Sequence, residues 1–129
     1  MLPYGDTQKA SKYQQAALAE ELIALELRRQ GWIIPWRNFR RRGFELDIVA
    51  TKQKTLVAVE VKFRTQRPRT MVEMRNLLSA RKLRALERGA KYAYAKLGSK
   101  YDTIRIDLAV VYPDQSKKLA IDYYVNVLG

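Results

Sequence analysis

A chain of 129 residues that is 47% apolar is long enough for one compact domain, expected to span 1–129, and too apolar to be disordered. It contains no cysteine and no histidine, which excludes disulfides, thiolate zinc sites, Ser-His-Asp triads and histidine acid–base chemistry. Any metal must therefore sit on oxygen ligands, the preference of Mg²⁺, Mn²⁺ or Ca²⁺. Lys and Arg number 25 against 13 Asp and Glu, a formal charge of +12, which for so small a domain points to a polyanionic partner, nucleic acid ahead of membrane.

No apolar run reaches the length of a membrane span, and the opening Met1-Leu2-Pro3-Tyr4-Gly5-Asp6 has no signal-peptide pattern, so a cytoplasmic protein is expected. Residues 7–30, rich in Ala, Leu, Glu and Gln without internal Pro or Gly, predict a first helix capped by Asp6 or Thr7 and closed at Gly31. Leu18, Leu22 and Leu25 form one apolar stripe. Ala16, Ala17, Ile23, Ala24 and Leu27 form a second, interrupted by Glu20. A carboxylate in an inward stripe needs a partner; taken by itself, Glu20 reads as a solvated or lysine-paired residue at the stripe's edge.

Residues 32–34 and 36–39 predict a first strand, with Pro35 marking an edge or a bulge. Arg40, Arg41 and Arg42 then enter a turn at Gly43, a cationic rim suited to phosphate contact. Residues 44–50 and 56–62 are β-branched strands joined by a short polar turn, Lys52-Gln53-Lys54. With the turn centred between Gln53 and Lys54, residues whose numbers sum to 107 lie opposite each other. Asp47 then faces Glu60, and Glu45 faces Lys62. Two adjacent carboxylates repel unless a cation lies between them. Asp47, Glu60 and Lys62 are thus read either as a divalent-metal site with an attendant lysine, the backbone carbonyl of Val61 offering a further ligand, or as a cross-strand ion-pair ladder built on Glu45–Lys62.

A basic loop follows, holding Arg64, Arg67 and Arg69, and then a short helix over 71–78. A long helix over 80–97 is capped by Ser79, closed by Gly98, and buries Leu83, Leu86, Ala90, Ala93 and Leu97. Residues 103–112 alternate as a strand, a turn covers 113–118, and a Tyr-rich strand runs over 119–127. This order predicts an α/β sandwich with helices on a mixed central sheet.

The pattern Asp47…Glu60-Val61-Lys62 resembles the signature of the PD-(D/E)XK nuclease superfamily. Taken with Glu20, Leu27 and Gly31, Asn38-Phe39-Arg40, residues 45–50, residues 56–64, Lys82 and Arg105-Ile106-Asp107-Leu108, it resembles more narrowly the YraN-like family. The resemblance implies a restriction-endonuclease-like three-layer α/β/α fold of the Holliday-junction-resolvase type, with about five strands. It further implies Mg²⁺- or Mn²⁺-dependent hydrolysis of DNA phosphodiesters, with branched and single-stranded DNA among the candidate substrates. Asp47 and Glu60 match the metal-binding acids, Lys62 the catalytic lysine, and Glu20 the helical glutamate that resolvase-like members add, a candidate further metal ligand, which reverses the solvated reading of that residue. Arg40, Arg41, Arg42, Arg64, Arg67, Arg69 and Lys82 are the expected nucleic-acid contacts. The chain departs from the family pattern at Ala19 and Phe44 and in the basic loop after Arg64, none of which removes a metal ligand. A catalytically inactive nucleic-acid-binding module and a scaffold docking through Tyr123-Tyr124 are the competing readings. A homodimer is left open, because one site per chain requires two chains to cut a four-way junction symmetrically.

Overall fold

The structure, a computed structural model, describes residues 11–98 and 100–128. In chain order it has helix α1 (Lys12–Arg29), strands β1 (Ile33–Arg41), β2 (Phe44–Lys52) and β3 (Thr55–Phe63), helices α2 (Met71–Arg75) and α3 (Ala80–Leu97), and strands β4 (Thr103–Pro113) and β5 (Leu119–Tyr124). The strands form one sheet in the order β1-β2-β3-β4-β5. Neighbours are antiparallel except β3 and β4, which are parallel. A parallel pair needs a long crossover, and the segment carrying α2 and α3 supplies it.

The sheet is covered on both faces. Ala19, Ile23, Ala24 and Leu27 of α1 pack with Ile48, Ala50, Val57, Val59, Val61, Ala109 and Val111. On the other face Leu86, Ala90 and Ala93 of α3 pack with Leu46, Val49, Leu56, Ala58, Ile106, Leu108 and Val110. Strands β3 and β4 are buried on both sides, which is why their sequences run nearly unbroken in apolar residues. This is the expected three-layer α/β/α restriction-endonuclease-like arrangement on a mixed five-stranded sheet.

Several local expectations are refined. The caps Asp6 and Thr7 and the first residues of the expected helix lie outside the described residues. Ser11 caps α1 in a reciprocal capping box with Gln14. The inward face of α1 is Ala19, Ile23, Ala24 and Leu27, flanked by the partly buried Leu18 and Leu22; Leu25, 55% exposed, and Ala16 and Ala17, also exposed, drop out of the two expected stripes. Arg40 and Arg41 belong to β1, pairing with Glu45 and Phe44, and only Arg42 and Gly43 are left for the turn. Strand β1 is a sheet edge, where Pro35 is tolerated, and its register shifts between Ile33 and Trp36. The short helix ends at Arg75, and β5 stops at Tyr124 because the chain turns at Asn126, whose N–H donates to Asp107 Oδ1 at 2.9 Å.

Gly89 was not among the residues expected to be buried on α3. A Cβ built there would lie 2.6 Å from Leu46 Cδ2 and 2.8 Å from Phe44 Cδ1. Its missing side chain lets α3 lie close against β2.

Candidate active site

The β2–β3 hairpin turns at Gln53-Lys54, with Gln53 at φ +53°, and the register is the expected one: Ile48 opposes Val59, Val49 opposes Ala58 and Ala50 opposes Val57. The β2–β3 pairing stops at Ile48–Val59. Beyond that point β2 continues alongside β1 through Leu46–Phe39 and Glu45–Arg40, while β3 continues alongside β4 through Glu60–Leu108 and Lys62–Val110. The two strands fork, and Asp47 stands in the fork. Its Oδ2 accepts the Val61 N–H at 2.9 Å, a main-chain donor that the ended ladder no longer uses.

The fork corrects one expectation. Glu45 does not face Lys62: its Oε1 pairs with Arg40 Nη2 at 3.1 Å on the neighbouring strand. Lys62 instead reaches along its own strand, Nζ lying 3.2 Å from Glu60 Oε2, as i and i+2 residues of one face can. The cross-strand ladder that competed with the metal reading is therefore not formed.

Glu60 is the most enclosed member, 3% exposed. Its Oε2 faces two ammonium groups, those of Lys62 and of Lys82, the latter at 3.4 Å from the first turn of α3. Its Oε1 is buried with no hydrogen-bond partner. The Asp47 carboxyl lies close enough to bond Glu60 when one of them carries a proton. When both are ionised, Glu60 Oε1 has no donor.

Burial, and then the charge of Glu60, push Asp47 up to about 7, against the Val61 N–H and Lys82, which favour its ionised form. Glu20 projects from α1 toward the same place. Burial and the charge of Asp47 push it up to about 7 as well, countered by the charge of Arg37 and by the side chain of Asn38. Arg37 is chiefly engaged elsewhere, its Nη1 holding Glu21 Oε2 at 2.8 Å, which keeps the Glu21 carboxyl below the usual range.

Acids crowded in this way, one with an orphaned buried oxygen, fit an oxygen-ligated divalent cation. Asp47, Glu60 and the Val61 carbonyl are the groups that would hold it. Among the described residues no three acidic side chains form a ready metal cluster, so Glu20 stands beside the Asp47–Glu60 pair, coupled to it through Asp47.

The expected nucleic-acid contacts fall into different settings. Lys82 is in the site itself. Arg40 lines a cleft of about 660 Å³ with Glu20, Arg37, Asn38 and Glu45. Arg41, adjacent in β1, lies over the Phe39 ring at 4.4 Å, on the α3 side. Arg42 is exposed in the turn. Arg64 donates to the Phe63 carbonyl at 2.8 Å. Arg67 is held by Asp122 at 2.8 Å and, with Arg69, lines a second cleft of about 720 Å³.

The model of the uncharacterised protein family UPF0102 matches residues 19–111, a span that contains Glu20, Asp47, Glu60, Lys62 and Lys82. The chain belongs to this family. It is the YraN-like, PD-(D/E)XK nuclease-like group. A UPF0102 protein of Desulforapulum autotrophicum is 34% identical over 105 residues, 81% of this chain and 85% of the relative. One from Bacteroides thetaiotaomicron is 37% identical over 96 residues, 71% of this chain and 74% of its own. One from Kosmotoga olearia is 43% identical over 93 residues, 71% and 76% of the two chains.

Two features of the family span escaped the sequence reading. Asp107, fully buried, receives Arg105 Nε at 3.1 Å, the Tyr123 hydroxyl at 2.6 Å and the Asn126 N–H, tying β5 to β4. Burial and this hydrogen bond push the Tyr123 phenol far up. The other is the place of Asn38 beside Glu20 in one cleft; its sequence signals were an Asn inside an aromatic strand and the match of Asn38-Phe39-Arg40 to the family pattern.

Proposed function

We propose that this chain is a divalent-metal-dependent DNA endonuclease that hydrolyses a phosphodiester at the β2–β3 fork, with branched or single-stranded DNA as the substrate class. The observation that carries this reading is the Asp47–Glu60 pair: two enclosed acids side by side, with Glu60 Oε1 left without a donor and two lysines on Oε2. Mg²⁺ or Mn²⁺ held by Asp47, Glu60 and the Val61 carbonyl would lower the pKa of the attacking water and offset charge building on the phosphate. Lys62 places an ammonium 3.2 Å from Glu60 Oε2, where it would orient the attacking water or stabilise negative charge at phosphorus. Lys82 adds a second positive charge from α3. The surplus of 12 positive charges draws the polyanion to the surface. Symmetric cleavage of a four-way junction would take two such sites and hence two chains.

The test is cleavage of linear, single-stranded, flap and four-way DNA with Mg²⁺ or Mn²⁺, run with Asp47→Ala and Glu60→Ala. Wild type cuts at least one substrate and both variants lose cutting while still binding DNA. Variants that cut at the wild-type rate refute the proposal.

One observation favours a second reading, a non-hydrolytic nucleic-acid-binding module: Glu60 already has two lysines to neutralise it. That module would show binding that falls with salt at a log–log slope of about −0.9 per phosphate contacted, and no metal-dependent cleavage.

A further inference from the structure

Among the described residues, four that are not glycine have positive φ. Gln53, Lys117 and Asn126 lie outside the regular elements, but Asn38, at φ +48°, lies inside strand β1. Asn is among the few side chains that take this left-handed conformation readily, and a strand has no use for it.

Its effect is to break the alternation of the strand. Trp36 and Phe39 are three residues apart, so a regular strand would place them on opposite faces. Here their rings stack at 4.2 Å on the α3 side. The partner strand breaks at the same row: Leu46 and Val49, also three apart, both enter the α3-side core. The pairs Arg37–Ile48 and Phe39–Leu46 leave Asn38 directly across from Asp47. Asn38 and the metal-facing acid of β2 therefore occupy one irregular row.

Across that row stands Glu20 of α1. It lines the same cleft as Asn38, whose side chain favours the ionised form of Glu20. Arg37, the nearby cation, is engaged with Glu21. An arginine paired to Glu20 would neutralise it and compete with a metal. A neutral carboxamide can donate to one carboxylate oxygen and leave the charge available.

We propose that Asn38 is a positioning residue: its left-handed backbone turns the carboxamide out of the strand's alternation onto Glu20 and holds that carboxylate beside Asp47. This rests on the metal site proposed above. Residues that orient acids at a metal typically contribute about 10- to 100-fold to affinity.

The test is Mn²⁺ binding by the full chain, read from the spectrum of free Mn²⁺, for wild type, Asn38→Gly, Glu20→Gln and the double variant, beside urea unfolding of each without metal. Glycine takes φ +48° freely, so Asn38→Gly keeps the backbone and removes only the carboxamide. Asn38→Gly should unfold at the wild-type urea concentration and bind Mn²⁺ about 10-fold more weakly. It should cause no further loss in a chain that already carries Glu20→Gln. Wild-type affinity in Asn38→Gly, an equal loss with and without Glu20→Gln, or a clear fall in the urea midpoint each overturn the assignment. Wild type that binds no Mn²⁺ overturns the metal site itself, and this assignment with it.

Discussion

The Asp47–Glu60 pair makes a prediction that needs no DNA. Replacing Asp47 with Asn removes one of two adjacent charges while its side-chain oxygen still accepts the Val61 N–H that Asp47 Oδ2 takes at 2.9 Å. The new amide can also donate to Glu60 Oε1, which otherwise has no partner. The Asp47 carboxyl binds its proton at about 7 in the fold, against an ordinary 3.8. An acid whose affinity for the proton is raised by folding is at no disadvantage below pH 3.8. It costs stability progressively as the pH rises from about 4 to 7. At 1.36 kcal/mol per pK unit, ionised Asp47 costs the metal-free fold about 4 kcal/mol at pH 8 and under about 1 kcal/mol at pH 4. Asp47→Asn should therefore be more stable than wild type in EDTA at pH 8, by up to about 4 kcal/mol, and nearly equal to it at pH 4. Urea unfolding measures the difference; with a slope of about 2 kcal/mol per M the midpoints separate by up to about 2 M at pH 8. Saturating Mn²⁺ should close most of that gap, stabilising wild type by about 2.7 kcal/mol at 100 times its dissociation constant and leaving the variant unchanged. A variant less stable than wild type at pH 8, or a gap that does not shrink toward pH 4, refutes the crowded-acid account. Equal stabilisation of both proteins by Mn²⁺ refutes Asp47 as a ligand.

Other outcomes follow from the same packing. Lys62→Met should lower the cleavage rate at saturating metal by about 100-fold, the scale of losing one charge-stabilising donor, and Lys82→Met should have a smaller effect; equal effects in single-turnover assays would contradict Lys62 as the principal cation. Asp107→Ala should cost about 3 kcal/mol in urea unfolding, because Arg105, the Tyr123 hydroxyl and the Asn126 N–H lose a shared buried acceptor. Gly89→Ala gains about 1 kcal/mol of helix propensity but forces Leu46 and Phe44 to shift, at about 1–3 kcal/mol, so a net loss of about 1 kcal/mol is expected; a stabilised variant would show that α3 moves away freely.

The sequence by itself determined what local pattern and simple counting can determine. Ser79 and Gly98 bracket α3 because a hydroxyl cap and a glycine stop act within a few residues. The hairpin register followed from the length of its turn, and the alternation of residues 104–111 placed β4. The absence of histidine and cysteine limited any metal to oxygen ligands. The acids Asp47 and Glu60 and the lysine Lys62 were legible because charges in apolar strands are conspicuous. Tertiary structure decided what depends on elements far apart in the chain. Asp47 meets the Val61 N–H because β2 leaves β3 for β1 and β3 stays with β4, a choice made by the whole sheet and invisible to the pleat of one hairpin. That same fork gave Glu45 to Arg40 instead of Lys62. Lys82 joins Glu60 because α3 packs on one face of the sheet, and Glu20 comes near Asp47 because α1 packs on the other. A side chain's partner across two layers is set by how those layers pack, and no periodicity within one segment encodes it.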